Sequence, residues 1–149
     1  MERLSFETLE KQGYSGYLLM DAPERVVQFG EGNFLRAFAD DFIDEMNERE
    51  NGEPVEHRRV ISAASRCLDP KRDWEKLLDC ARNPVLRFVI SNTTEAGITF
   101  DPTCGAKDTP PSSFPAKLTV FLHERWKKGL PGLIILSCEL IDHNGQELR

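Results

Sequence analysis

The chain has 149 residues, of which 40% are hydrophobic and 30% are charged, and its formal net charge at pH 7 is −6. This length predicts one domain with its own core, and the acidic balance argues against duplex nucleic acid as a partner. No apolar stretch reaches the roughly 18 residues that a membrane span needs, and the N-terminus has no apolar signal core. The sequence therefore predicts a cytoplasmic protein without a membrane segment, and its four widely spaced cysteines predict no metal site.

The first regular elements are a strand, a turn with two glycines and a helix. The strand is predicted over 25–29 and the helix over about 33–48, with Gly30 and Gly32 in the turn. This order is typical of dinucleotide binding, because the first glycine makes the turn and the second lets a pyrophosphate approach the helix N-terminus. The third glycine of the usual G-x-G-x-x-G motif is replaced by Leu35. A purely structural β-turn-α connection is therefore an equally good interpretation.

The predicted first helix has an apolar side and an acidic side. Apolar residues at helical spacing indicate the side that packs on the domain: Phe34, Phe38, Phe42 and Ile43. Acidic residues indicate the side that faces solvent: Asp40, Asp41, Asp44 and Glu48.

Strands and helices alternate along the rest of the chain. Further strands are predicted over 59–65, 86–90 and 133–138. Helices are predicted over 70–81 and 115–128. Repetition of β and α elements indicates an α/β fold with a doubly wound, mostly parallel, Rossmann-like sheet. The first of these helices is expected to have Asp69 as its N-cap. The second is expected to have Trp126 on its apolar side and a basic last turn, Arg125, Lys127 and Lys128, that suits the helix dipole.

Polar loops follow two of the predicted strands. One loop covers 91–97, and the other contains His143 and Asn144. Ligands of open α/β sheets bind outside the carboxyl ends of the strands, so both loops are expected near a cofactor. A Ser/Thr/Asn turn that satisfies its own backbone explains the first loop equally well, and a turn residue is the more common role for His143.

Four segments resemble, in the same order, the mannitol dehydrogenase family of polyol-specific long-chain dehydrogenases. They are residues 28–37, 87–98, 114–119 and 137–145. The missing third glycine is a trait of this family, and Leu35 is expected to pack the helix against the sheet in its place. The sequence Cys-Glu-Leu-Ile within the last segment favours the uronate branch of the family.

This resemblance implies NAD as the cofactor and a hydride transfer between NAD(H) and a sugar acid, in the couple tagaturonate and altronate. It also implies that the amide of Asn144 helps to polarise the reacting oxygen. The catalytic lysine of the family belongs to a C-terminal, mostly helical substrate domain, which is not part of this sequence. The cofactor-binding positions implied by the resemblance are Phe29, Gly30, Gly32, Asn33, Phe34, Asn92, Thr93, Thr94 and Glu95.

The interpretation of residues 1–149 is thus the NAD-binding Rossmann domain of a longer enzyme, with residues 1–24 as a lead-in arm. The connection near 49–58 is shorter than in the family, too short for the second Rossmann strand with its acidic ribose-binding residue. The choice of NAD over NADP consequently depends on the resemblance. Two alternatives remain open: a mannitol, fructuronate or other polyol dehydrogenase of the same family, and a non-catalytic Rossmann-like interaction module.

Overall fold

The fold is an α/β structure with a three-stranded parallel sheet in which β2 is the central strand. A computed structural model describes residues 4–30, 32, 34–49, 60–94, 96–105 and 107–149. None of the helices in these ranges combines the length and the apolar character needed to cross a membrane. In chain order the elements are α1 (Phe6–Lys11), β1 (Val26–Phe29), a π-helical turn (Leu35–Ala39), α2 (Asp40–Arg49), α3 (Trp74–Arg82), β2 (Phe88–Ser91), α4 (Phe114–Lys127), β3 (Ile134–Ser137) and α5 (Asn144–Glu147).

The three strands run in register and end in the same row. Val89 of β2 lies opposite Val27 on one side, and Ser91 lies between Phe29 and Ser137 at the end of the sheet. The strand sequences are rich in β-branched and aromatic residues, which suit a pleated sheet that is covered by helices. Because all three strands are parallel and end together, the loops that follow them begin side by side at one edge.

Helices α3 and α4 cover one face of the sheet and form the main core. Apolar residues recur in α3 at spacings of three and four, so they share the side of the helix that faces the sheet. The ring of Phe29 packs against Phe114 and Phe121, with centroid distances of 5.1 and 6.2 Å. Burying one such large side chain stabilises the fold by about 1.5–3 kcal/mol. The cluster comprises Phe29, Trp74, Leu77, Leu78, Cys80, Ala81, Leu86, Val89, Phe114, Leu118 and Phe121.

Residues 60–65 do not form a strand, so that prediction is wrong for the described part of 59–65. Their backbone is bound by side chains: Val60 N–H donates to the hydroxyl of Tyr14 (3.0 Å), and Ser62 N–H donates to Oδ1 of Asp44 (3.0 Å). The small side chains of Ala63 and Ala64 offer little area for packing on a sheet. The segment therefore crosses the domain without a strand partner.

Asp44 and two phenylalanines in and just before α2 differ from the prediction, whereas Asp40, Asp41, Ile43 and Glu48 are half-buried. Asp44, expected in solvent, is fully buried and also accepts from the hydroxyl of Ser62 at 2.9 Å. Phe38 and Phe42 were expected in the core, but both are about half exposed. Their rings pack against each other with centroids 6.1 Å apart. The prediction is wrong because hydrogen bonding to Ser62 draws Asp44 inward. Leu35, by contrast, is fully buried, as expected.

Helix α3 begins at Trp74, four residues after its predicted start. The carboxylate of Asp69 accepts from Lys71 N–H at 3.0 Å, two residues further on, and this local bond forms a separate turn. The N-cap of α3 is Asp73, which makes no side-chain capping bond. The prediction of Asp69 as the N-cap is therefore wrong.

The last turn of α4 also differs from the prediction. Arg125 is only 2% exposed, whereas Trp126 lies largely in solvent. The guanidinium of Arg125 supplies hydrogen-bond donors to backbone carbonyls at the end of α3 and in nearby loops. The last carbonyls of a helix need such donors, because they have no partner within the helix. Burial of the guanidinium lowers the pKa of Arg125. The acceptors are the carbonyl oxygens of Ala81, Asn83, Leu86 and Pro131, at 2.6–3.1 Å.

Candidate functional site

The site is built on the row of residues that follows the three strands. Asn92 N–H donates to the carbonyl of Phe29 at 3.0 Å, and Cys138 N–H donates to the carbonyl of Ser91 at 2.8 Å. The side-chain amide of Asn92 donates to the carbonyl of Cys138 and so ties the second strand to the third. These bonds extend the sheet by one row and fix the starting points of the loops.

The two glycines of the first loop are required for different reasons. Gly30 has a φ of 105°, and a Cβ on it would lie 2.4 Å from the carbonyl oxygen of Asn92. Only glycine suits that conformation and that close approach. At Gly32 a Cβ would meet no heavy atom of the described residues within 4 Å, apart from its chain neighbours. The fold itself therefore requires Gly30, whereas the space beside Gly32 is open to a ligand.

The helix that follows this turn begins with a π-helical turn. Asp40 N–H donates to the carbonyl of Leu35, five residues earlier. A Leu35 methyl carbon lies 3.4 Å from the Cβ position built on Gly30, so Leu35 fills the space behind the glycine turn. Phe34, at the entrance to the helix, is about half exposed. Asn33 lies outside the described residues.

The loop after β2 divides into two parts. Thr93 donates from N–H and from Oγ1 to Oε1 of Glu139, at 3.1 and 3.2 Å. Thr94 instead accepts from Gly97 N–H through Oγ1 at 2.9 Å, which is a local turn. The simple turn interpretation thus describes Thr94, while Thr93 links the loop to its neighbour. Glu95 lies outside the described residues.

Asn144 lies in the third loop, where its amide holds the backbone. Its Nδ2 donates to the carbonyl of Ser137 at 2.8 Å and to that of Glu139 at 3.0 Å. Both amide protons are used in this arrangement, which leaves the oxygen Oδ1 as an acceptor for a further partner. His143 precedes it with a left-handed φ of 57° and is exposed, as a turn residue is.

Glu139 is a site residue that the sequence did not single out. It is only 3% exposed, and Oε2 accepts from the hydroxyl of Ser91 at 3.1 Å. The sequence feature that could have indicated its burial is its position immediately after the apolar run 133–138, where the chain is still inside the domain. Buried carboxylates are uncommon, and such a position is often functional.

The expected cofactor residues therefore differ in how they are placed at this edge of the sheet. Gly30, Gly32, Thr93 and Asn144 occupy loops that start at the same edge of the sheet. The ring of Phe29 belongs to the core, so only the backbone of this residue remains for a ligand.

Curated relatives cover the whole sequence. Altronate oxidoreductase of Bacteroides thetaiotaomicron is 38% identical over 188 residues, with 100% of this chain and 38% of the relative aligned. Altronate oxidoreductase of Phocaeicola vulgatus is 40% identical over 166 residues, with 85% of this chain and 35% of the relative aligned. The chain thus spans little more than a third of the length of these relatives. No protein-family profile matches the chain.

Solved structures agree on the fold. D-sorbitol dehydrogenase in its substrate-free form has a TM-score of 0.67 and 23% identity, covering 83% of this chain and 35% of its own. Mannitol 2-dehydrogenase of Pseudomonas fluorescens, in a ternary complex with NAD and D-mannitol, has a TM-score of 0.73 and 20% identity, covering 89% of this chain and 37% of its own. The predicted Rossmann-like fold and the predicted resemblance are both confirmed.

Proposed function

We propose that this chain, a relative of the altronate oxidoreductases over its whole length, is the dinucleotide-binding part of an NAD-dependent oxidoreductase. The observation that carries the proposal is the glycine turn between β1 and its helix, beside two polar loops on neighbouring parallel strands. Open α/β sheets bind nucleotides at such an edge. This role agrees with the cytoplasmic location predicted from the sequence.

The geometry of the first loop fits a dinucleotide. The open space at Gly32 lies at the start of a helix, where backbone N–H groups and the helix dipole favour a pyrophosphate. Leu35 packs against Gly30 on the other side of the turn. Phe34, Asn33 and the backbone of Phe29 flank the same turn in sequence, and Thr93, Thr94 and Glu95 follow the neighbouring strand on the nicotinamide side.

The proposed reaction is the interconversion of altronate and tagaturonate. When bound, NAD supplies the acceptor for the hydride that leaves the carbinol carbon, and the hydroxyl proton passes to a base. We assign that base to a further domain, since the curated relatives are more than twice as long as the region they share with this chain. Asn144 donates both Nδ2 protons to the carbonyls of Ser137 and Glu139, so its part in the reaction is assigned to Oδ1, which can accept from the hydroxyl of the substrate.

A second candidate is a polyol dehydrogenase of the mannitol or sorbitol type. The observation that favours it is the similarity of the fold to mannitol 2-dehydrogenase, with a TM-score of 0.73. Polyol and sugar-acid enzymes share the hydride-transfer chemistry, so the cofactor loops do not separate them. The substrate decides between the two candidates.

Titration of the complete protein with NADH, followed by fluorescence, tests the common part of both candidates. We expect saturable binding, and we expect reduction of tagaturonate to be faster than reduction of fructose or fructuronate under the same conditions. Faster reduction of fructose would favour the polyol candidate. A complete protein that binds no dinucleotide would contradict both and would favour an interaction module.

A further inference from the structure

Glu139 joins the two loops on either side of the proposed nicotinamide position, and the proposed reaction has no other use for it. We infer that Glu139 is a positioning residue, which fixes the separation of the β2 and β3 loops for hydride transfer. This inference rests on the proposed function. The supporting contacts come from both the side chain and the backbone of the residue.

The side chain of Glu139 reaches from the β3 loop to the end of β2. One carboxylate oxygen accepts from Ser91 Oγ at 3.1 Å, and the other accepts from Thr93 N–H and Thr93 Oγ1 at 3.1 and 3.2 Å. Ser91 is fully buried in the last row of the sheet. The carboxylate thus holds the end of β2 and the start of its loop through three hydrogen bonds.

The backbone of Glu139 controls the third loop. Its carbonyl oxygen accepts from Asn144 Nδ2 at 3.0 Å and from Ile141 N–H at 2.9 Å. A movement of Glu139 would therefore shift Asn144 as well as Thr93. One buried residue couples the two loops that the sequence assigns to cofactor and substrate.

The direction of its hydrogen bonds distinguishes Glu139 from a residue that only fills space. Burying a carboxylate costs several kcal/mol, and among the described residues Glu139 has hydroxyl and amide donors but no ion-pair partner. An apolar residue would avoid that cost but would leave Ser91 Oγ and Thr93 N–H without this acceptor. A carboxylate that accepts three hydrogen bonds, however, fixes a loop in direction as well as in distance.

The test uses three variants of the complete protein: Glu139→Ala, Glu139→Gln and Asp44→Asn. Asp44 is the matched control, because it is also a buried carboxylate bound to a serine, and it lies at α2, outside the proposed site. The measurements are kcat and KM for the ketose, the Kd of NADH, the melting temperature, and hydrogen exchange of the Thr93 amide.

For Glu139→Ala we expect kcat to fall by about 100-fold, since a displacement of about 1 Å can cost that much, while KM and Kd change by less than about 3-fold. Exchange at Thr93 should become faster. Glu139→Gln keeps the carbonyl acceptor for Thr93 N–H, so it should restore most of kcat. Asp44→Asn should lower the melting temperature and leave kcat unchanged.

Two results would overturn the inference: an unchanged kcat in Glu139→Ala despite faster exchange at Thr93, or equal losses of kcat in Glu139→Ala and Asp44→Asn. If Glu139→Ala does not fold, an unaltered kcat in Ser91→Ala together with faster exchange at Thr93 would have the same consequence. An inactive wild-type protein with intact NADH binding would instead contradict the proposed substrate. The failures of the two proposals are therefore distinguishable.

Discussion

The two ends of the sheet are each tied together by one buried charged side chain, of opposite sign. At the amino ends of β2 and β3, Arg125 donates to four backbone carbonyls, one at the end of α3 and three in the loops before these strands. At the carboxyl ends, Glu139 accepts from a hydroxyl, an amide and a second hydroxyl. Both residues are at most 3% exposed.

The difference between the ends lies in what remains available after these bonds are made. Arg125 uses its donors on backbone carbonyls at the end of α3 and in the loops before β2 and β3, so the amino end is closed and contributes to stability. Glu139 binds Thr93 in the β2 loop and Asn144 in the β3 loop, while Gly32, Phe34 and Thr94 at the same edge are exposed. The amino end therefore suits a structural role, and the carboxyl end suits ligand binding.

The largest effect is expected at the amino end. Arg125→Met should lower the free energy of unfolding by about 3 kcal/mol, because buried carbonyls left without donors cost about 1–3 kcal/mol each and water restores only some of them. Urea denaturation measures the change. Arg72→Ala is the control, since Arg72 forms an exposed ion pair with Asp69 and its loss should cost less than about 1 kcal/mol. Equal losses in both variants would contradict the closed-end interpretation.

A substitution of the first glycine should destabilise the carboxyl end. Gly30→Ala introduces a Cβ at 2.4 Å from the carbonyl oxygen of Asn92, in a backbone conformation with φ of 105°. We expect a loss of about 2–3 kcal/mol in the free energy of unfolding, together with weaker NADH binding. Stability equal to that of the wild type would show that this row of the sheet tolerates movement.

The second glycine should separate binding from stability. Gly32→Val places its side chain in space that contains no heavy atom of the described residues within 4 Å, so unfolding should change by less than about 1 kcal/mol. The same side chain would block the approach of the pyrophosphate, and the Kd of NADH should rise by at least about 10-fold. An unchanged Kd would remove this turn from the proposed cofactor site.

The strands of this sheet were predictable from the sequence, whereas the buried polar partners were not. A run such as Leu133–Cys138 can be identified from its own residues as a strand, because it consists mostly of consecutive β-branched and aliphatic residues between a glycine and a polar segment. Burial of Asp44 depends on Ser62, 18 residues away, and Glu139 binds Thr93, 46 residues away. Helical periodicity therefore assigned the acidic side of α2 to solvent, and it contained no information about either partner.

The same long-range dependence explains the glycine turn. Gly30 and Gly32 were predicted together as parts of one motif, because sequence spacing treats them alike. Their different roles appear only when the β2 loop lies beside Gly30 and places the carbonyl of Asn92 against it. The residues at the carboxyl edge of the sheet were thus largely predictable as a group, whereas the different surroundings of each residue depend on the neighbouring strand.

The smallest expected effect is at the amino end of β1, where Glu24 forms a bidentate pair with Arg66. Arg66 Nε and Nη2 donate to the two carboxylate oxygens at 2.7 and 2.8 Å, and Ser65 Oγ donates at 2.9 Å. Hydrogen bonding to Arg66, the largest cause, holds the pKa of Glu24 below its ordinary value of 4.5. The folded state consequently binds this proton less readily than the unfolded state.

The sign of the pH dependence follows from that lowered pKa. The pair stabilises the fold above about pH 4.5, and its contribution is lost as the pH falls through the lowered pKa. Because both side chains are partly exposed, we expect less than about 1 kcal/mol. A double-mutant cycle with Glu24→Gln and Arg66→Gln, measured by urea denaturation at neutral and at acidic pH, isolates the coupling. A coupling energy that stays unchanged at acidic pH would contradict the pairing of ionised Glu24 with Arg66. A coupling energy as large as the loss in Arg125→Met would mean that the amino end depends on this surface pair as much as on the buried Arg125.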